Sequence, residues 1–316
     1  MGNTGDVVVG TGWKVGCPMG RVESPRVVLD GLAFVESARW HQDRFWFAHW
    51  RVGEIIATDL QGNSEVMAPG RPTMGWSFDW LPDGRLLITG ESLLRQETDG
   101  TLVNHADLST VARHNWNEIV VDHQRGNVYV NGADTSNFLA GQPPPPGIVA
   151  VVAADGAVRQ VADDIDFPNG MVITPDGSTL VVAESMKGRL TAFTITTDGS
   201  LIDRRIWADH VAPDGICVDA EGAIWCGAGD VSAPVGQGTS PPGAAVRVRD
   251  GGQILDRIEL DRPGFSYALG GPTGTTLFIV GQHWRGFDQV DAVIAERTGQ
   301  AVCVDVATPA PPAATR

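Results

Sequence analysis

Apolar residues recur along the chain in short runs rich in Val, Ile, Leu, Trp and Phe, separated by Gly, Pro, Asp and Asn, and no long stretch keeps the 3.6-residue period of a helix. Each unit reads as a polar opener, an apolar strand, a tight turn and a second apolar strand, as in Trp80-Leu81-Pro82-Asp83-Gly84-Arg85-Leu86-Leu87-Ile88 and Ile173-Thr174-Pro175-Asp176-Gly177-Ser178-Thr179-Leu180. Taking Asp43, Gly84, Gly126, Gly177, Gly222 and Gly274 as the turn residues gives intervals of 41 to 52 residues, against roughly 40–50 for one blade of a propeller. Further runs with their own Asp-Gly turns, such as Ile148–Val152 before Asp155-Gly156, bring each unit to about four strands. The pattern predicts an all-β, six-bladed β-propeller occupying residues 1–316 as one domain. Residues 1–30 form an N-terminal closing segment, 25–29 pair with 299–306 to join the last blade to the first, and 307–316 form a flexible tail.

Aligning the units on the middle of each first strand and counting back four positions yields Glu36, Trp76, Asn117, Asn169, Asp214 and Ser266. Innermost strands line the channel of a propeller, so these residues are expected as a ring near one mouth. Taken singly, Asn169-Gly170 and Asp214-Gly215 are equally turn dipeptides; the shared register is what points to a site. Glu36, Asn117, Asn169 and Asp214 then present two carboxylates and two amide oxygens to one divalent cation. Ca²⁺ suits such an all-oxygen set best, with Zn²⁺, Mn²⁺ or Mg²⁺ as other occupants. Such an ion polarises a carbonyl and acidifies water, which suits hydrolysis of an ester-like bond; an ion that merely plugs the channel is the structural alternative. Loops leaving the second strands should surround the site, and the long ones, 133–146, 229–242 and 283–297, are read as a substrate cap. His49, His283, Glu91 and Glu184 fall on that face as substrate contacts, with packing or solvent as their alternative roles. Ser77, in Gly75-Trp76-Ser77-Phe78-Asp79, lacks the setting of a nucleophile elbow.

A net charge of -15 over 316 residues disfavours nucleic acid and anionic membrane surfaces as partners. No apolar stretch reaches bilayer-spanning length and the first residues lack a signal-like pattern. The four cysteines, Cys17, Cys217, Cys226 and Cys303, show no paired spacing, which fits a reducing compartment. A cytoplasmic monomer or small homo-oligomer acting on a small molecule is expected.

The motifs Phe34-Val35-Glu36-Ser37-Ala38-Arg39-Trp40, Asn117-Glu118, Asp166-Phe167-Pro168-Asn169-Gly170-Met171, Pro213-Asp214-Gly215-Ile216 and Ala268-Leu269-Gly270-Gly271-Pro272 resemble the gluconolactonase, regucalcin (senescence marker) and luciferin-regenerating family over nearly the whole chain. The resemblance implies one metal on Glu36, Asn117, Asn169 and Asp214, a metal-activated water that opens a lactone, and Asp214 as general base. Sugar-lactone members have an arginine where this chain has Asn115, and the acidic sugar contact has only Asp134 as a counterpart. Trp76, Phe138 and Trp284 offer aromatic contacts instead, so a lactone less polar than a sugar lactone is expected. A phosphotriesterase or arylesterase on the same metal, and a non-catalytic calcium-binding propeller, are the alternatives.

Overall fold

A computed structural model describes residues 24–136, 144–229 and 242–312. Among them, 24 strands form six four-stranded antiparallel sheets, five of them running consecutively from an inner to an outer strand and the sixth taking its outer strand from the start of the chain. The inner strands are Phe34–His41, Phe78–Trp80, Trp116–Asp122, Pro168–Ile173, Cys217–Val218 and Gly264–Gly270. The six-bladed propeller is therefore as the repeat spacing requires. All six turn residues, Asp43 included, have φ between 56° and 84°, the left-handed region that a tight hairpin demands and that Gly and Asp tolerate.

The circle closes where the sequence places the joint. Strand Arg26–Leu32 pairs with Gly299–Asp305, bringing Arg26 opposite Cys303, Leu29 opposite Ala301 and Leu32 opposite Gly299, so the first strand completes the last blade. The tail departs from expectation. Thr308 and Ala310 are buried, the Ala310 N–H donates to the Gly274 carbonyl, and the Ala220 N–H donates to that of Pro309. A residue after the last strand can tie down two hairpin turns at once, which a polar-apolar pattern does not reveal.

The hydrophobic core is divided into six clusters among the described residues, one in each seam between neighbouring blades. That division follows from geometry, because a half-buried strand has two faces and each blade has a neighbour on both. Nearest the channel, the seams between blades four and five and between blades five and six are too narrow for side chains, and the backbones meet directly. The Gly170 N–H donates to the Asp214 carbonyl at 3.0 Å and the Gly215 N–H to that of Phe265 at 2.7 Å. A Cβ on Gly170 would lie 2.6 Å from the Asp214 oxygen, and one on Gly215 2.2 Å from Ser266 Oγ. These glycines therefore serve close approach between blades rather than turns.

Gly215→Ala should cost about 1–3 kcal/mol through overpacking of that seam, lowering the thermal midpoint by several degrees. An unchanged midpoint by scanning calorimetry would show that the seam can open without cost.

Candidate active site

The ring residues sit at irregularities in the strands that carry them. Pairing between first and second strands slips between Glu36 and Arg39, between Trp116 and Glu118, between Pro168 and Met171, and between Gly264 and Ser266. A bulge frees a residue from the ladder and re-aims its side chain, which turns Glu36, Asn117 and Asn169 out of their sheets at the head of the channel. Asp214 precedes its inner strand, Cys217–Val218, and its backbone is held by Gly170.

Hydrogen bonds from blade to blade join these positions into a closed circuit. Trp50 Nε1 donates to the Trp76 carbonyl at 2.7 Å, Thr89 Oγ1 to that of Asn117 at 3.1 Å, and Asn131 Nδ2 to that of Asn169 at 2.6 Å. The Gly170 and Gly215 bonds continue it, and the Ala38 N–H closes it on Ser266 Oγ at 2.9 Å. Asn117 also donates from Nδ2 to the Pro168 carbonyl at 3.5 Å, one residue before Asn169, which leaves its Oδ1 as the outward acceptor.

The electrostatics of this head are those of an anion cluster without enough positive charge. Glu36 is 3% exposed, and its pKa is pushed well above the ordinary carboxylate range by burial first, then by the charges of Asp214 and Glu118. Burial, with Glu118 adding to it, pushes Asp214 up to about 8. Asp214 Oδ1 is buried and accepts no hydrogen bond from the protein, an arrangement that costs free energy unless something else supplies the partner. Among the described residues no three His, Cys, Asp or Glu side chains form a metal-holding group. A cation here must therefore draw on the amide oxygens as well as the carboxylates. One buried and one half-buried carboxylate, the latter with a buried, orphaned oxygen, together with the amide oxygens of Asn117 and Asn169, fit a hard divalent cation by donor chemistry.

The outer contacts divide. Asn115 lies beside the cluster: a Cβ on Gly75 would be 3.5 Å from its Nδ2 and 3.7 Å from Asn117 Oδ1, and its amide donates to the Met74 carbonyl at 3.2 Å. Trp284 is half-buried and packs edge-on against Phe34 and Phe265. Phe287, next along, meets Trp284 and also Phe167, with ring centroids 4.8 and 6.2 Å away. The loop that carries them leaves blade six and Phe167 enters blade four, blades that are not neighbours, so this segment reaches across the mouth. It includes the helix Val290–Glu296, which buries Val290 and Val293 beside Trp50 and Trp76. His283 is half-buried and Glu91 exposed on the same face; Asp134 is exposed and accepts the Ser136 N–H. Phe138, and 230–241 of the second cap loop, lie outside the described residues.

Three expected substrate contacts are structural instead. Trp76 is wholly buried in the seam between blades one and two, its Nε1 donating to the Thr73 carbonyl. His49 is buried with both nitrogens engaged: Nε2 accepts the Ala33 N–H at 2.9 Å, so the proton is on Nδ1, facing Glu54 at 3.2 Å. Glu184 is buried against Arg189, Arg204, Thr191 and the Asp166 N–H, anchoring the turn that leads into Asn169. Sequence register put these residues on the site face but could not say how deep each lies. Asn131 escaped notice, and Glu118 was quoted only as part of the Asn117-Glu118 motif with no role of its own, for the converse reason: nothing marks a residue inside an apolar strand as a polar link between blades.

The structure is thus that of a six-bladed propeller with an acidic, partly unsatisfied head to its channel. The family described as SMP-30/gluconolactonase/LRE-like region matches residues 34–283, and the chain belongs to it. Among solved structures it is similar to a calcium-binding protein, regucalcin, from Agrobacterium tumefaciens, at 21% identity and a TM-score of 0.71 over 92% of this chain and 95% of that one. It is also similar to a gluconolactonase from Xanthomonas campestris (20% identity, TM-score 0.68, covering 92% and 96%) and to a luciferin-regenerating enzyme (16%, 0.73, 91% and 97%). At these identities the likeness establishes the shared propeller.

A carboxyl whose folded pKa lies above its ordinary value contributes stability at low pH that is lost as pH rises through the folded pKa. For cation-free protein, the Asp214 contribution is present below 3.8 and lost on passing about 8. The thermal midpoint in chelator should therefore fall over that window more steeply for the parent than for Asp214→Asn. Parallel slopes by differential scanning fluorimetry would contradict the unsatisfied state of its buried oxygen.

Proposed function

We propose that the protein is a divalent-cation-dependent lactonase, with a substrate less polar than a sugar lactone. The observation that carries this reading is the pair formed by buried Glu36 and half-buried Asp214 at the channel head, with a buried Asp214 oxygen left without a partner. With Asn117 and Asn169 they would hold the cation, and Ca²⁺ suits the all-oxygen donor set. When bound, the cation supplies Lewis-acid polarisation and a more acidic water.

The chain's own groups would do the rest. Ionised Asp214 takes the proton of the water that attacks the lactone carbonyl carbon and returns it to the ring oxygen as the acyl C–O bond opens, giving the hydroxy acid. Asn115 offers a neutral amide where a cationic side chain would favour hydroxyl-rich or anionic rings. Trp284, Phe287 and Phe167 roof the mouth with aromatic surface, which excludes water and suits an alkyl or aryl substituent. His283 and Glu91 lie on the same face as candidate outer contacts.

The test is hydrolysis of a panel of sugar, alkyl and aryl lactones by chelated protein with Ca²⁺, Mg²⁺, Mn²⁺ or Zn²⁺ restored. Cation-dependent turnover, best on apolar rings, is expected, and Asp214→Asn should lower kcat by roughly 10²–10⁴-fold. Cation binding without turnover on any lactone, aryl ester or phosphotriester would favour the non-catalytic reading, which the likeness to calcium-binding regucalcin also supports. Asn115→Arg should shift preference toward polyhydroxylated lactones, read as the ratio of kcat/KM values; an unchanged ratio would remove Asn115 from substrate selection.

A further inference from the structure

Glu118 follows Asn117 in the third inner strand, is 2% exposed, and points into the channel beneath the ring. Its Oε1 accepts from Ser37 Oγ at 3.1 Å; its Oε2 accepts from Ser77 Oγ and from Arg39 Nη2, each at 3.1 Å. One carboxylate thus receives hydrogen bonds from blades one and two while belonging to blade three. Arg39 is itself fixed, donating from Nη2 to the Ile119 carbonyl at 3.0 Å and from Nη1 to that of Ala38 at 2.9 Å.

Ser37 is the informative partner. It follows Glu36, lies at the bulge where the first inner strand breaks its pairing, and has φ 57°. A non-glycine residue holds that conformation at a cost only where its surroundings over-determine it. Its Oγ supplies the restraint, its single proton directed to Glu118 Oε1 at 3.1 Å and shared with the more distant Trp76 carbonyl at 3.4 Å, and its N–H donates to Glu36 Oε2 at 3.3 Å.

We infer that Glu118 is a positioning residue: by gripping Ser37 in its left-handed conformation it holds the Glu36 carboxylate aimed into the channel head, with Arg39 fixing Glu118 in turn. This rests on the reading of Glu36 as a functional ligand, but the geometry it asserts can be tested without catalysis. Groups that orient a metal ligand typically carry 10–100-fold in metal affinity or activity.

The experiment is a double-mutant cycle of Glu118→Gln and Ser37→Gly, with Ca²⁺ affinity measured by calorimetry and crystal structures of each variant. Glycine adopts a φ near 57° freely, so Ser37→Gly removes the strain that Glu118 holds in place. In the parent background Glu118→Gln should weaken Ca²⁺ binding by about 10–100-fold, lower kcat with little change in KM, and let Ser37 leave the left-handed region with Glu36 displaced. In the Ser37→Gly background the same change should cost less than about 3-fold, the non-additivity expected of residues that act through one another. Glu118→Asp retains the charge against Arg39 but shortens the reach to Ser37, and should show the same displacement should the glutamine variant fail to fold. Equal losses in both backgrounds, or an unmoved Ser37 and Glu36 in the variant crystals, would overturn the inference. A parent protein that turns over no lactone would defeat the proposed activity and leave the crystallographic comparison to decide the role of Glu118.

Discussion

Closing six flat sheets into a circle forces the inner strands of neighbouring blades within backbone hydrogen-bonding distance of one another, and the rest of the molecule depends on how that constraint is met. Further out, each seam is filled by an apolar cluster. At the channel there is no room for such side chains, so the contacts are peptide to peptide or through short polar groups, as between Gly170 and Asp214, Gly215 and Phe265, and Ala38 and Ser266. Buried peptide groups must be paired, and here they pair across blades. The glycines are required by proximity, and the bulges at Glu36, Asn117 and Asn169 supply the slack that lets a strand serve both its own ladder and its neighbour.

The same constraint makes the site. A bulged residue at the head of an inner strand has its side chain released toward the channel, and several strands do this at one level. The resulting cluster would be a defect in a purely structural protein, since the buried Glu36 and half-buried Asp214 carboxylates repel one another and the buried Asp214 Oδ1 has no partner. Local interactions oppose that repulsion only in part: Arg39 lies close enough to lower the Glu36 pKa, but it is committed to Glu118, Ser77 and backbone carbonyls. Unfavourable electrostatics stored at the end of an otherwise well-satisfied channel are what the proposed cation site rests on. The segment from Trp284 to Phe287 reaches over to Phe167 and lays aromatic surface across the same mouth.

Much of this was legible in the chain. The intervals between Asp43, Gly84, Gly126, Gly177, Gly222 and Gly274 gave blade number and turn positions, because a left-handed turn residue is a local requirement that local sequence must meet. The joint between Arg26–Leu32 and Gly299–Asp305 followed from the strand count. Counting back from the strand centres brought Glu36, Asn117, Asn169 and Asp214 to one level, although the same count selected Trp76, whose ring turns into the seam. His49 and Glu184 were misread likewise, since register gives the face of a sheet and not the depth at which a neighbouring blade covers it.

What the sequence by itself determined is therefore periodic: blade length, turn chemistry, the level of the polar openers and the family motifs built on them. Only the tertiary structure decided which of those openers meet, that Gly170 and Gly215 separate blades rather than turn the chain, that Glu118 reaches Ser37 across two blades, and that residues 308–310 are pinned to two hairpins. The reason is physical. Propensity and alternation act between residues near in sequence, whereas burial, the satisfaction of a polar atom and the electrostatic state of a carboxyl are set by whichever atoms the closed circle brings within a few ångströms.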